Sequence, residues 1–175
     1  MPTLETERLQ IRPLTPDDLD ALHAALDVHP DVWHFDPGYP RTREQRAAEL
    51  HYRILQYERD GFGMLAVCLK ATGALIGYCG LQLYLLPSQP YATPEVELFY
   101  KLVREFWGQG LATEACRRMI NHAFDTLRLR RIVTVTHKDN TNSIALLRRL
   151  GMAIVPAPPE WADHVLGILA NARHD

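Results

Sequence analysis

Glu105-Phe106-Trp107-Gly108-Gln109-Gly110-Leu111-Ala112-Thr113-Glu114-Ala115 is the stretch that decides the fold. Behind it lies an apolar run, 96–103, whose only charges are Glu97 and Lys101, which reads as a strand. Ahead of it, Leu111, Ala115, Met119, Ile120, Ala123, Phe124 and Leu127 recur at helical spacing and predict a helix over 111–127. Two glycines and several small residues therefore join a strand to the start of an amphipathic helix. Such a turn presents backbone N–H groups that the helix cannot satisfy, at the positive end of its dipole. It suits a phosphate or pyrophosphate, and glycine lets that anion reach the backbone. A plain strand–helix turn without a ligand has the same pattern. No Gly-Lys-Ser/Thr follows, so it is not a Walker loop, and the third glycine of a dinucleotide fingerprint is missing.

Downstream, Arg131-Ile132-Val133-Thr134-Val135-Thr136 is β-branched and predicts a strand. A helix over 140–150 closes at Gly151, and strands over 152–155 and 164–170 end the chain. Upstream, the alternation over 8–14 predicts a half-buried strand. Thr15-Pro16-Asp17-Asp18 then opens a helix with the apolar stripe Leu19, Leu22, Ala25 and Leu26. Residues 29–40 hold too many prolines for regular helix and an unusual number of aromatics. A second helix over 42–59 follows, then strands over 62–69 and 74–85 and a proline-broken loop over 87–94. Three consecutive strands suggest antiparallel hairpins, and the strand–helix–strand passage suggests a parallel pair. The class is mixed α/β: a mostly antiparallel sheet of about seven strands with a parallel, splayed pair, flanked by about four helices.

Composition bounds the function. The chain has 175 residues, 47% apolar and 23% charged, which predicts one domain, 1–175, and excludes disordered and fibrous classes. Lys plus Arg number 19 and Asp plus Glu 21, so the net charge of −2 gives no whole-surface attraction to nucleic acid or an anionic membrane. Cys68, Cys79 and Cys116 are odd in number and widely spaced, which argues for reduced thiols rather than a disulfide framework or a zinc site. The eight histidines show no metal spacing, so no metal is expected. The opening residues are polar and acidic, and the uncharged stretch 71–94 is broken by Gly, Pro and Gln. The expectation is a cytoplasmic protein with no membrane partner.

Asn140-Thr141-Asn142-Ser143 opens the last of these helices, and either Asn140 or Thr141 fits its cap. Taken with the glycine turn, the ordered set resembles the GNAT superfamily of CoA-dependent N-acyltransferases. Glu5-Thr6-Glu7-Arg8-Leu9-Gln10-Ile11-Arg12-Pro13-Leu14 looks like the opening of its RimJ/RimL-type branch, whose named members acetylate ribosomal-protein N-termini. Residues 73–81, Glu97 to Leu102, 106–115 and 140–152 are similar to that branch's central hairpin, fourth strand, pyrophosphate loop and later helix. The resemblance implies a GNAT-like fold and acetyl-CoA as co-substrate. It further implies that the backbone of Tyr100, Lys101 and Leu102 pairs with the pantetheine arm. Gly108, Gln109, Gly110, Leu111, Ala112 and Thr113 would hold the pyrophosphate, and Asn140 would contact the pantetheine. Only the resemblance suggests a homodimer.

The sequence departs from the wider family in two places. Trp107 stands where the loop motif usually opens with Gln or Arg, as is common in this branch. Leu147 stands where a tyrosine is often proposed as general acid, and Ser143 is the substitute the branch suggests. An amine attacks a thioester only when unprotonated, and its pKa lies near 10.4 for a lysine-like amine or about 8 for an α-amino group. A base must therefore take a proton, and Glu97, a carboxylate on a largely apolar strand, is the candidate. Glu95 is the weaker second choice, and a salt bridge would equally explain Glu97. Trp33, His34, Phe35, Asp36 and Tyr39 are the candidate walls of an acceptor pocket, the rings facing a cation and Asp36 pairing with it. Packing of that loop onto the core is the alternative. His137 follows the fifth strand and could reach the site, but it is not among the candidate residues.

The resemblance implies an N-acetyltransferase acting on a primary amine. That amine is a protein N-terminus or a small molecule such as an amino acid, a polyamine or an amine antibiotic. The rival function is a CoA-binding sensor or interaction module on the same fold, without turnover.

Overall fold

The computed structural model describes residues 3–35, 40–86 and 93–172. Among these residues eight strands form one sheet in the order β1-β2-β3-β4-β5-β6-β8-β7. They are β1 (Leu4–Glu5), β2 (Leu9–Pro13), β3 (Met64–Leu69), β4 (Leu75–Leu86), β5 (Thr93–Leu102), β6 (Arg131–His137), β7 (Ala153–Pro156) and β8 (His164–Ala170). Among the described residues four α-helices flank the sheet: α1 (Leu19–Leu22), α2 (Arg43–Asp60), α3 (Leu111–Asp125) and α4 (Thr141–Arg149). Every strand pair is antiparallel except β5 and β6, which meet in parallel with Glu97 opposite Val133.

The eighth strand beyond the expected seven is β1, a two-residue segment turned back onto β2 by Thr6-Glu7-Arg8, with Leu4 opposite Ile11. Two residues carry no periodicity, so nothing in the pattern announces it. The first helix also departs from expectation. Thr15 and Asp18 form a capping box around a 3-10 turn, and α1 runs for one turn. His23–Asp27 then widens into a π-helix. That segment ends on Asp27, whose buried carboxylate takes two hydrogen bonds from the Arg46 guanidinium, both 2.6 Å, and one from the Arg41 N–H.

Apolar side chains cover both faces of the sheet. On one face α3 and α4 pack Leu111, Met119, Ile120, Leu146 and Leu147 against Ile76, Leu98 and Leu102. On the other, α1 and α2 pack Leu22 and Leu50 with Trp33 against Ala66, Tyr78 and Phe99. Side chains alternate along a strand. Val96, Leu98, Tyr100 and Leu102 therefore belong to the α3–α4 face, and Glu95, Glu97, Phe99 and Lys101 to the α1–α2 face.

Candidate active site

Beyond the Glu97–Val133 bridge β5 and β6 part, and the candidate site residues collect around the opening. Glu97 is 7% exposed. Its Oε2 accepts from the Gln82 amide at 2.7 Å and its Oε1 from the Val135 N–H at 3.3 Å. Glu95 lies two residues back and is ion-paired with Arg131. Two neighbouring carboxylates thus have different settings, one fixed by an arginine and the other held by amides at the strand junction. The Tyr84 phenol is held above its ordinary pKa, by burial first and by the charge of Glu97 second.

On the opposite face, the Tyr100 hydroxyl and Ser143 Oγ lie 2.8 Å apart, a contact that spans the opening from β5 to the first turn of α4. Burial keeps the Tyr100 phenol well above its usual pKa. Asn140 is the N-cap of α4, its Oδ1 accepting from the Ser143 N–H at 3.1 Å. Leu147 is fully buried in the core against the sheet.

The end of β5 is paired on one side only. A Cβ built at Gly77 on β4 would collide with the Lys101 carbonyl, and the Val103 N–H donates to Ile76 O. The Lys101 peptide groups therefore face β4, and those of Tyr100 and Leu102 face the opening. The Lys101 ammonium lies 3.4 Å from the centre of the Trp33 ring.

The glycine turn is built as the residues require. Gly108 and Gly110 have φ of +74° and +79°, left-handed values that cost a side-chain-bearing residue about 1–2 kcal/mol. Gly110 is the N-cap of α3 and offers no side-chain cap, so the first amides of the helix are left to an external acceptor. A Cβ at Gly108 would meet nothing within 4 Å, so the outer side of the turn is open. These features fit an anionic diphosphate. The turn is clamped from behind by the amino-terminal segment. Glu114 on α3 accepts from Thr6 Oγ1 (2.5 Å), Arg8 N (2.9 Å) and Arg8 Nε (2.7 Å), and Arg8 Nη1 donates to Gln109 O at 3.0 Å. Neither Arg8 nor Glu114 stood out in the sequence, because their meeting spans more than a hundred residues.

Of the proposed acceptor residues, Trp33 is buried, and its Nε1 donates to Leu26 O at 2.9 Å. It packs in the core beneath α1 and α2. His34 and Phe35 stay exposed and begin a chain of rings: His34 on Phe35 (4.5 Å), Phe35 near His137 (5.7 Å) and His137 near His164 (5.5 Å). Tyr84 lies 5.7 Å from Trp161. His137 and His164 end and begin paired strands, and with Tyr84 they share the face of Glu97. Asp36, Tyr39 and residues 87–92 of the proline loop lie outside the described residues. His164 and Trp161 have no signal in the sequence, whereas strand alternation from Glu97 points to Gln82 once the hairpin register is known. Among the described residues no cluster of His, Cys, Asp or Glu is arranged to hold a metal, and no helix is long and apolar enough to cross a membrane.

Residues 8–153 match the Acetyltransferase (GNAT) domain, and the chain belongs to this family. It is an acetyl-CoA-dependent N-acetyltransferase by membership. The chain is similar to the protein named Uncharacterized N-acetyltransferase p20 of Bacillus licheniformis, 31% identical over 86% of this chain and 82% of that one. It also resembles the acetyltransferase of Agrobacterium tumefaciens str. C58. The identity is 28% and the TM-score 0.79, and the match covers 97% and 94% of the two chains. The RimL ribosomal L7/L12 alpha-N-protein acetyltransferase in complex with coenzyme A shares the fold. There the TM-score is 0.78 and the identity 18%, over 97% of this chain and 98% of the other.

Proposed function

We propose that the chain moves the acetyl group of acetyl-CoA to a primary amine by direct attack on the thioester, with Glu97 as base. The observation that carries this reading is the placement of Glu97 and Ser143 on opposite sides of the opening between β5 and β6. A thioester lying in that opening would meet the carboxylate on the side where the amine enters and the hydroxyl on the side where sulfur leaves. The pyrophosphate would rest on Gly108 to Thr113, and the pantetheine along the β5 edge at Tyr100 and Leu102, near Asn140.

The amine enters from the α1–α2 face, past Phe35, His137, Tyr84 and Trp161. Glu97 takes its proton directly or through one water. The developing oxyanion is met by a free N–H of the β5 edge. The departing thiolate needs little acid help, since thiol pKa values lie near 8.5. The acceptor is a protein N-terminus or a small-molecule amine, in a cytoplasmic setting where acetyl-CoA is supplied.

Thermal unfolding with and without saturating acetyl-CoA tests the reading, on wild type and Gly110→Trp. A ligand bound only by the folded state raises its stability by about 2.7 kcal/mol at a hundredfold excess over Kd. A rise in wild type that is lost in the variant supports the cofactor loop, and thiol release in an amine screen then identifies the acceptor. No rise in folded wild type defeats the reading. Binding without acyl transfer to any amine favours a sensor instead.

A further inference from the structure

We propose that Tyr100 is a positioning residue for the leaving thiolate: its phenol donates to Ser143 Oγ and so turns the serine hydroxyl hydrogen toward the sulfur of CoA. The inference rests on the acetyl-transfer reading and names a role for a side chain whose backbone alone that reading uses.

The 2.8 Å contact joins β5 to α4 across the opening. Serine has one hydrogen and two lone pairs, so its direction of donation is set by whoever donates to it. A phenol is the more acidic of the two hydroxyls and is the better donor. Burial keeps it protonated, with Cys116 and Cys79 beside it adding to the same effect. Asn140 fixes the Ser143 backbone from the cap. Two neighbours therefore hold one small side chain, the first its main chain and the second its rotamer. With its lone pair occupied by Tyr100, the Ser143 hydrogen is free to point into the opening.

The chemistry balances without a proton leaving the pair. The amine nitrogen bonds the acyl carbon and its proton passes to Glu97. The C–S bond breaks with its electron pair on sulfur, and the thiolate accepts the hydrogen bond from Ser143. Leu147, where the wider family places a tyrosine, then leaves no gap in the chemistry, because a hydrogen bond rather than a proton is supplied.

The test is the pKa of the thiol of bound CoA, read by thiolate ultraviolet absorbance against pH with the CoA-free protein as background. In wild type it falls below the ordinary value of about 8.5. Tyr100→Phe and Ser143→Ala each raise it by about one pH unit, a tenfold change in thiolate fraction. The double variant raises it no further, and Ser143→Thr, which keeps the hydroxyl, retains the wild-type value. CoA still stabilises each variant against heat, which a merely structural loss would not allow. An unchanged thiol pKa in Tyr100→Phe, or additive shifts in the double variant, overturns the proposal while leaving the acetyl-transfer reading standing. Failure of wild type to bind CoA removes both. If Tyr100→Phe does not fold, Tyr100→Leu takes its place in the same titration, an unshifted thiol there being fatal.

Discussion

Glu114→Gln probes whether the amino-terminal Thr6–Arg8 segment and the glycine turn act as one unit. The carboxylate accepts Thr6 Oγ1 and the Arg8 N–H on one oxygen and the Arg8 guanidinium on the other. A glutamine keeps one acceptor oxygen but turns its NH2 toward Arg8, donor against donor. A hydrogen bond to a charged partner contributes about 1.5–3 kcal/mol. The Arg8 side chain is 46% exposed, so solvent screens its share. A net loss of about 1–3 kcal/mol follows. For a domain of this size each kcal/mol lowers Tm by about 2–4 °C, which gives a fall of roughly 2–12 °C. Acid provides the internal control. Burial alone would raise the Glu114 pKa, but the hydrogen bonds from Thr6 and Arg8 outweigh it and hold the group below its ordinary 4.5. A carboxylate depressed in the folded state stabilises above its unfolded pKa and loses that contribution as pH falls through the folded value. The difference in Tm between wild type and Glu114→Gln is therefore complete at pH 7 and closes as pH falls below about 4.5. Because Arg8 also holds Gln109 O, the variant should raise KM for acetyl-CoA more than it lowers kcat. A gap that persists unchanged to acid pH, or no gap at neutrality, refutes the clamp.

Glu97→Gln keeps an oxygen to accept the Val135 N–H but has no basicity. Acyl transfer should fall about 10²- to 10⁴-fold while heat stabilisation by acetyl-CoA persists, and a variant with near wild-type turnover excludes Glu97 as base. In Gly80→Ala the new Cβ would run into the Gly63 carbonyl and lie 2.8 Å from Met64 Cα, whereas at Gly73 it would meet nothing within 4 Å. Denaturant unfolding should show Gly80→Ala losing about 3 kcal/mol or more, and Gly73→Ala only the left-handed strain of about 1–2 kcal/mol. Arg46→Met strips the buried Asp27 of its guanidinium and should cost about 3–5 kcal/mol at neutral pH in the same assay. A loss under 1 kcal/mol would mean that the π-helical end does not depend on the pair.

Legibility in the sequence follows the range of the interaction that makes each feature. The glycine turn, the amphipathic α3 and the capped α4 are local, and 105–115 and 140–151 announce them. The hairpin of β4 and β5 is legible as two strands, but its register spans the proline loop. Only the register puts Gln82 opposite Glu97 and Tyr84 opposite Glu95. Residues 29–40 show the limit of reading aromatics by composition. Trp33 and Phe35 stand two apart in one loop, yet the first is buried beneath three cationic side chains and the second is at the surface. Nothing in their spacing separates a core ring from a pocket ring. The contacts of Tyr100 with Ser143 and of Arg8 with Glu114 are tertiary, and each residue taken singly has an ordinary role.

The opening between β5 and β6 is the feature on which the site depends, and parallel strands left to themselves would close it. What holds it open is a set of side chains bound to the main-chain groups that would extend the ladder. Thr134 Oγ1 donates to Leu98 O at 3.0 Å, which otherwise awaits an amide of β6. Glu97 takes the N–H of Val135. At the far end the Trp107 indole donates to Leu102 O at 2.7 Å. Each such bond satisfies a group that is costly to bury unpaired, so closing the strands would gain no hydrogen bond at these positions. Between the two capped carbonyls the N–H and C=O of Tyr100 and the N–H of Leu102 face the opening and take no part in these three bonds. That is the stretch where an added strand of pantetheine would find its partner. Glu97 thus serves the fold, its carboxylate keeping the strands apart at the place where, as the proposed base, it would receive the proton. Trp107 gains a structural reason of its own: an indole can reach back to the end of β5 from the start of the turn, and so ties the glycines proposed to hold the pyrophosphate to the strand that would hold the rest of the same molecule.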